Sequence, residues 1–288
     1  MSMSFIDFGR AHGLSINPAK LHPSERIKRC PTIEHPKKDN GAYFWDGERG
    51  WVFAWDGEAS VQWWNDPHAK PWTEEDKAEW KRKREAMRTA QQHKYLAAAD
   101  RAQQRINEAQ PGHHTYLEYK GLKECQGLIA PDGSLLVPMR NVATGKLQGV
   151  QSIRWMADQM RYEKKMQYEM QARNAVLRLG PQMARETILC EGYATGLSIE
   201  LAARQMRLQA AVLVCFSDSN LVNVSGQIKG KQYAYADNDA SGAGERAALD
   251  AGIPYCMSDT LGNDANDDHK RHGLMAVCKK LMSVRRGL

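Results

Sequence analysis

The last third of the chain alternates short apolar runs with helix-forming stretches, and no other feature restricts the fold as strongly. Thr187 to Cys190, Ala211 to Phe216, Gln232 to Ala236 and Ile253 to Cys256 read as strands. Between and after them, Ala194 to Met206, Gly244 to Ala251 and Leu274 to Ser283 read as helices. Strands that are apolar throughout, separated by helices, imply a parallel sheet covered by helices on both faces.

Acidic residues follow three of these strands. Glu191-Gly192 comes directly after Cys190, and Asp237-Asn238-Asp239 directly after Ala236. Asp264-Ala265-Asn266-Asp267-Asp268 lies in the expected loop after Cys256. Open α/β sheets bind ligands at the carboxyl ends of their strands. In an extended segment, residues i and i+2 point the same way, so Asp237 and Asp239 can address one cation. Carboxylates without Cys or His partners suit a hard cation, Mg²⁺ or Mn²⁺, which also takes phosphate oxygens as ligands. Such an ion neutralises charge on a triphosphate or phosphodiester during transfer. Singly, each motif also reads as a turn or a helix cap. Their joint occurrence after strands, in this order, is far more specific.

The net charge of +6 lies in the first 180 residues, since basic and acidic residues balance in the remainder. A basic front half fits a polyanionic partner, and ordinary solubility charge is the equal alternative. Seven of the 8 Trp residues fall between Trp45 and Trp80. There, aromatic and β-branched runs broken by Asp46-Gly47 and Asp56-Gly57 read as short strands and hairpins. Lys28, Arg29, Lys37 and Lys38 precede or open this stretch, so Trp45 and its neighbours could stack bases beside phosphate-binding cations. Core packing is the favoured reading for most of the rings, because a small domain has little else to bury. A helix follows from Thr73 to Gln110, opened by a Thr73/Asp76 capping box and stopped by Pro111-Gly112. Its thin apolar stripe and alternating charges mark an exposed connector, and Lys81-Arg82-Lys83-Arg84 reads first as a solvated face. Leu135 to Arg140, with Pro138 implying a sheet edge, and Leu147 to Ile153 read as strands. A basic tract follows, containing Arg154, Arg161, Lys164, Lys165, Arg173 and Arg178.

The six cysteines are scattered without a CxxC pair, so neither a disulfide framework nor a closed zinc site is expected. No run reaches the roughly 20 apolar residues of a membrane helix. Residues 1–13 lack a signal peptide's apolar run, so the cytoplasm is expected, that of a bacterial host if the gene is carried by a phage or plasmid.

Glu191-Gly192-Tyr193-Ala194-Thr195-Gly196, then Tyr235-Ala236-Asp237-Asn238-Asp239-Ala240-Ser241-Gly242, then Asp264-Ala265-Asn266-Asp267 together resemble the toprim domain, which bacterial primases, type IA and type II topoisomerases and some nucleases share. The Asp-Ala-Asn-Asp ending and Phe216-Ser217-Asp218-Ser219-Asn220-Leu221 are similar to the phage and plasmid primase branch. Leu136-Val137-Pro138 and Gly149-Val150-Gln151 resemble the basic half of a primase RNA-polymerase domain. The resemblance covers about residues 113–275. It implies an α/β fold: a toprim-type parallel sheet flanked by helices, preceded by a mixed α+β basic subdomain and a small Trp-rich β domain. The expected divisions are 1–72, a zinc-less template-binding module; 73–112, a helical linker; 113–180, the basic polymerase half; and 181–288, the toprim domain.

By the same resemblance Glu191, Asp237 and Asp239 are catalytic and, with Asp264 and Asp267, bind metal; Glu191 is also the candidate general base. Arg154, Arg161, Lys164, Lys165, Asn220 and Asn266 are expected to bind nucleotide or template, with a solvated basic face the equal alternative for the four cations. The implied partners are single-stranded DNA, ribonucleoside triphosphates and a replicative helicase on a separate chain, since no Gly-x-x-x-x-Gly-Lys-Ser/Thr motif occurs. Cys30-Pro31 and His35-Pro36 are similar to the opening of a primase zinc domain, but the paired cysteines are missing. The expected activity is primer synthesis. A metal-dependent toprim nuclease and a non-catalytic DNA-binding accessory protein are the alternatives.

Overall fold

The computed structural model describes residues 3–55, 60–70 and 73–287, and the chain divides into two compact units, Met1–Arg84 and Glu85–Leu288. The first unit begins with α1 (Phe5–Ala11), whose N-cap Ser4 Oγ accepts from Asp7 N. Four strands follow in an antiparallel meander: β1 (Ser24–Cys30), β2 (Gly41–Trp45), β3 (Arg49–Ala54) and β4 (Gln62–Asn65). The expected Asp-Gly hairpin joins β2 to β3: Asp46 Oδ1 accepts from the backbone N–H of Glu48 and Arg49, and Gly47 takes φ +112°. The Asp56-Gly57 turn and the boundary at residue 72 lie outside the described residues. The unit's core holds Phe5, Leu14, Cys30, Tyr43, Val52 and Trp64.

The long helix α2 (Glu74–Glu108) starts with the expected capping box: Thr73 Oγ1 accepts from Asp76 N, and the Asp76 carboxylate accepts from Thr73 N. Its later turns are packed. Ala98 and Ala102 are fully buried, Gln167 donates to the Ala98 carbonyl at 2.6 Å, and Arg105 donates to Ser152 Oγ at 3.0 Å.

The second unit is built on one ten-stranded sheet. Its basic half contains β5 (Gln110–Gly112), α3 (Thr115–Tyr119), β6 (Gly127–Ile129), β7 (Leu135–Asn141), β8 (Leu147–Met156), β9 (Arg161–Met166) and β10 (Ala175–Leu179). The rest consists of β11 (Glu186–Cys190), α4 (Tyr193–Gln205), β12 (Ala210–Val214), α5 (Asp218–Ser225), β13 (Lys231–Ala236), α6 (Ala243–Ala251), β14 (Tyr255–Met257), α7 (Ala265–His272) and α8 (Leu274–Arg286). Strands β14, β13, β11 and β12 lie side by side in parallel, and β12 continues antiparallel through β10 to β7. A parallel sheet flanked by helices, after a mixed basic half and a small β unit, is the architecture expected from the sequence. Alternate residues of β11 enter separate cores: Ile188 and Cys190 meet the α4 and α8 side, whereas Leu189 packs with Leu213, Leu221 and Val224 on the α5 side. Burial on both faces is why these strands carry no polar alternation.

Two local expectations change. Pro138 does not mark an edge, because β7 pairs with β8 along one side and with both β6 and β10 along the other. On that second side β6 meets Leu135 and Leu136 while β10 meets Arg140 and Asn141, so Pro138 sits in the gap between them, where no N–H is required. Asp264 to Asp268 is not a loop: Asp264 caps α7, and Asp267 completes a reciprocal capping box. Among the described residues no helix is long and apolar enough to cross a membrane.

Gly196 allows α4 to lie directly on the sheet, since a Cβ there would fall 2.4 Å from Val214 Cγ2 and 3.3 Å from Cys190 Sγ. Alanine raises helix propensity by roughly 1 kcal/mol over glycine, but overpacking a filled core costs about 1–3 kcal/mol. Gly196→Ala is therefore expected to lower the urea unfolding midpoint; an unchanged or higher midpoint would show that the helix can lift away freely.

Candidate active site

Strands β11, β12 and β13 run the same way, so their carboxyl ends share one edge of the sheet. The ladder continues one step past β11, where Phe216 N donates to the Glu191 carbonyl at 2.9 Å. Phe216 adopts φ +66°, a left-handed conformation uncommon for a bulky residue, and it turns the chain sharply into α5. Ser217 caps that helix and Asp218 is its first residue. The Asp218 carboxylate thereby reaches Glu191 and shares a side-chain hydrogen bond with it. Burial, and then Asp218, raises the Glu191 pKa to about 7, and burial raises that of Asp218 as well, so the two carboxyls resist ionising together. Asp218 was absent from the expected site, although Phe216-Ser217-Asp218 follows a strand just as Glu191 does.

Asp237 stands at the end of β13. Its Oδ1 is buried and has no hydrogen-bond partner. Burial raises its pKa to about 7, and the carboxylates of Asp264, Glu191 and Asp218 push the same way. The Lys164 ammonium opposes that rise at both Asp237 and Glu191. Gly244 brings the start of α6 against this residue: a Cβ there would lie 2.6 Å from the Asp237 carbonyl oxygen. Asp239 is exposed and closes a tight turn, Oδ1 accepting from Ser241 Oγ at 2.6 Å and Ser241 N at 2.8 Å. The bond from the Ser241 hydroxyl leads the lowering of its pKa, so Asp239 stays ionised.

The Asp264 loop braces the edge. Asp264 Oδ2 accepts from Thr195 Oγ1 at 3.0 Å and Oδ1 accepts from Asp267 N at 2.9 Å, while Asp267 returns the contact to Asp264 N. Asp268 is buried and saturated by the Tyr235, Ser258 and Asn263 side chains. Asn238 donates to the Ser258 carbonyl and to the Asn263 carbonyl, which ties the Asp237 loop to that of Asp264.

The remaining expected site residues separate. Asn220 is a correction. Its amide donates to the carbonyls of Ala175 and Cys215 and accepts from Asn174 N, so its polar atoms hold the sheet together instead of a ligand. Asn266 is fully buried, donating to the Lys120 carbonyl and to Ser198 Oγ. It cannot touch nucleotide and acts as a clamp. Arg154 is bound through two nitrogens to Glu163. Strand alternation on β9 sets Lys164 on the opposite face from Glu163 and Lys165. Arg161, which bonds Gln159, stands at the start of the strand. In the first unit the Trp45 ring is half-buried and stacks on Phe5 at 5.8 Å; among the described residues Trp55 and Trp63 are exposed rings. Arg29 lies 4.2 Å over Trp55, Lys28 contacts His22, and Lys37 and Lys38 are exposed.

Among the described residues, no three His, Cys, Asp or Glu side chains close around a point as a ready-made metal cage. A partnerless buried carboxylate oxygen, pressed by three other carboxylates, nevertheless fits one divalent cation that keeps open positions for water and phosphate oxygens. Asp237 and Glu191 would hold it, with Asp218 and Asp239 beside them.

Residues 186–274 match the toprim-domain family. Two solved structures from bacteriophage T7 are similar to the chain. One is a complex of the lagging-strand DNA polymerase with primase domains of two gp4 subunits bound to an RNA/DNA hybrid and dTTP (14% identity, 61% of this chain and 91% of that one, TM-score 0.41). The other is the primase fragment of the primase-helicase protein (14% identity, 57% and 68%, TM-score 0.38). No curated protein matches the chain.

The Asp237 carboxyl ionises near 3.8 when unfolded and near 7 when folded, so the stability it contributes is complete below about pH 4 and lost as the pH rises through 7. A cation beside it restores what is lost. Millimolar Mg²⁺ is expected to raise the melting temperature more at about pH 8 than at about pH 5. Asp237→Asn is expected to raise the metal-free melting temperature at the higher pH and to remove most of the Mg²⁺ effect. Equal Mg²⁺ shifts at both pH values, or a full shift in the variant, would place the cation elsewhere.

Proposed function

We propose that the protein is a primase, joining ribonucleotides on a single-stranded DNA template with Mg²⁺ or Mn²⁺. The observation that carries this reading is the partnerless Asp237 oxygen at the toprim edge, facing Lys164 from the basic half of the same sheet. A purely cleaving site needs acids and a cation. Synthesis also needs a cation-lined surface for an incoming triphosphate, and β9 supplies one.

The bound ion would supply charge neutralisation at the phosphates. The Glu191 carboxylate, once its proton has passed to Asp218 or solvent, accepts the proton of the attacking 3′-hydroxyl. The 3′-oxygen then bonds the α-phosphorus, the bond to the bridging oxygen breaks, and pyrophosphate leaves. Lys164 offsets negative charge between Glu191, Asp237 and the phosphates. The Thr195–Asp264–Asp267 contacts hold the Asp264 carboxylate in place while this happens.

In this reading residues 113–180 are the basic polymerase half, α2 leads to it, and the four-stranded first unit takes the template through Arg29, Lys28, Lys37, Lys38 and exposed rings. The ribonucleoside triphosphates are the substrates, and a replicative helicase is a separate partner. Purified protein given a panel of single-stranded templates, the four ribonucleotides and Mg²⁺ or Mn²⁺ should yield short RNA, lost on chelation. Asp237→Ala with Asp239→Ala should lower the rate roughly 10²-fold or more while template binding persists. Metal-dependent DNA cleavage with no RNA product would establish the nuclease instead, and unchanged behaviour of the double variant would leave an accessory binding role.

A further inference from the structure

A cleft of about 540 Å³ lies across α7 from the basic half. Asn266 and Lys270, one turn apart, bond the Lys120 and Tyr119 carbonyls from one face of α7. Asp268 and His272, also one turn apart and roughly 200° round the helix, line the cleft from the other. Its second wall is α8, where Met275, Ala276, Lys279 and Lys280 share one face while Val277, Cys278, Leu281 and Val284 fill the core behind them. The loop after β14 closes the remaining side with Asp259. The volume falls within the roughly 300–1,000 Å³ typical of ligand sites.

Charge here is one-sided. From His269 to Leu288 the chain carries six Lys and Arg residues and no acid. Asp268, beneath the cleft, is saturated by Tyr235, Ser258 and Asn263, so it makes no claim on the lysines. Asp259 pairs with Lys280 while its own side chain remains 89% exposed, so a carboxylate from outside the two helices already sits on that ammonium. Lys279 is exposed and has no partner among the described residues. Beside these cations Met275 is 54% exposed, and Leu261, two residues beyond Asp259, is 67% exposed. Methionine is flexible and polarizable, and suits surfaces that accept varied apolar partners. A nucleic-acid strand is the poorer match. No Trp, Tyr or Phe lines the cleft, so bases have no ring to stack on, and phosphates make no use of an exposed thioether.

We infer that this cleft docks a short acidic segment of a partner protein, its carboxylates on Lys279 and Lys280 and one apolar side chain against Met275 and Ala276. Carboxylate–ammonium pairs are charge-assisted and steer the encounter, while the apolar anchor covers the thioether and the lysine stems. Lys280 exchanges Asp259 for a carboxylate of the partner. Glu191, Asp218, Asp237 and Asp239 do not line the cleft, so the inference stands apart from the proposed chemistry.

The test is fluorescence anisotropy with the full chain and three labelled hexapeptides: four acidic residues followed by leucine and phenylalanine, the same four acids followed by two serines, and four serines followed by leucine and phenylalanine. The first should bind about 10-fold more tightly than either of the others. Lys279→Glu should weaken it about 10-fold and Met275→Ser about 5-fold, with melting temperature and single-stranded oligonucleotide affinity unchanged, while Lys279→Arg should stay within about 3-fold of the parent. Asp259→Asn, which releases Lys280, should tighten the acidic peptide about 3-fold. No binding of the first peptide up to about 1 mM would overturn the inference. So would an affinity indifferent to Lys279→Glu and Met275→Ser, or equal binding of the serine peptide, which would leave an apolar patch without charge selection. Weakened oligonucleotide binding in Lys279→Glu with the peptide unaffected would make the face a nucleic-acid track instead.

Discussion

Like charges forced together at one sheet edge govern this molecule. Strands β11, β12 and β13 are parallel and buried on both faces, so the residue after each has nowhere to go but the common edge. Glu191 and Asp237 therefore meet Asp218 and Asp264 in partly buried surroundings, where carboxylates resist ionisation and press on one another. Sharing a proton between Glu191 and Asp218 relieves part of the repulsion. Asp237 keeps a buried carboxylate oxygen with no hydrogen-bond partner. A divalent cation bound there would offset that charge.

The supporting shell shows how rigidly that demand is held. Asp264 and Asp267 cap α7 and each other, Asp268 is saturated by three side chains, and Gly244 lets α6 start against the Asp237 backbone. None of these acids needs metal to stay in place. The division of labour is between carboxylates with every oxygen engaged, which fix the loops, and those left short of partners, which are available for chemistry.

The basic half is joined to this edge through β10, which pairs with β12 on one side and β7 on the other. One continuous sheet thus carries both the acids and the β8–β9 hairpin that points Lys164 toward them. The same hairpin divides the basic tract into two faces. Arg154 pairs with Glu163 on one, and Lys164 with its neighbouring rings occupies the other.

Sequence alone determined the parallel sheet and the placing of Glu191 and Asp237 directly after two of its strands, because apolar runs and the residues that follow them are local facts about the chain, but it carried the Ala211 run to Phe216, two residues past the end of β12. It also determined the Asp46-Gly47 hairpin and the Thr73 cap, whose hydrogen bonds close within a few residues. Tertiary structure decided the rest. Pro138 lies mid-sheet because two separate strands leave a gap beside it; Asn220 and Asn266 are clamps because distant carbonyls occupy them; Asp218 joins the site because the chain reverses sharply at Phe216. Which basic side chains face the acids depends on pairing between strands, and a one-residue change of register would exchange the two faces. Contacts of that kind form between segments far apart in the chain, and no local pattern records them.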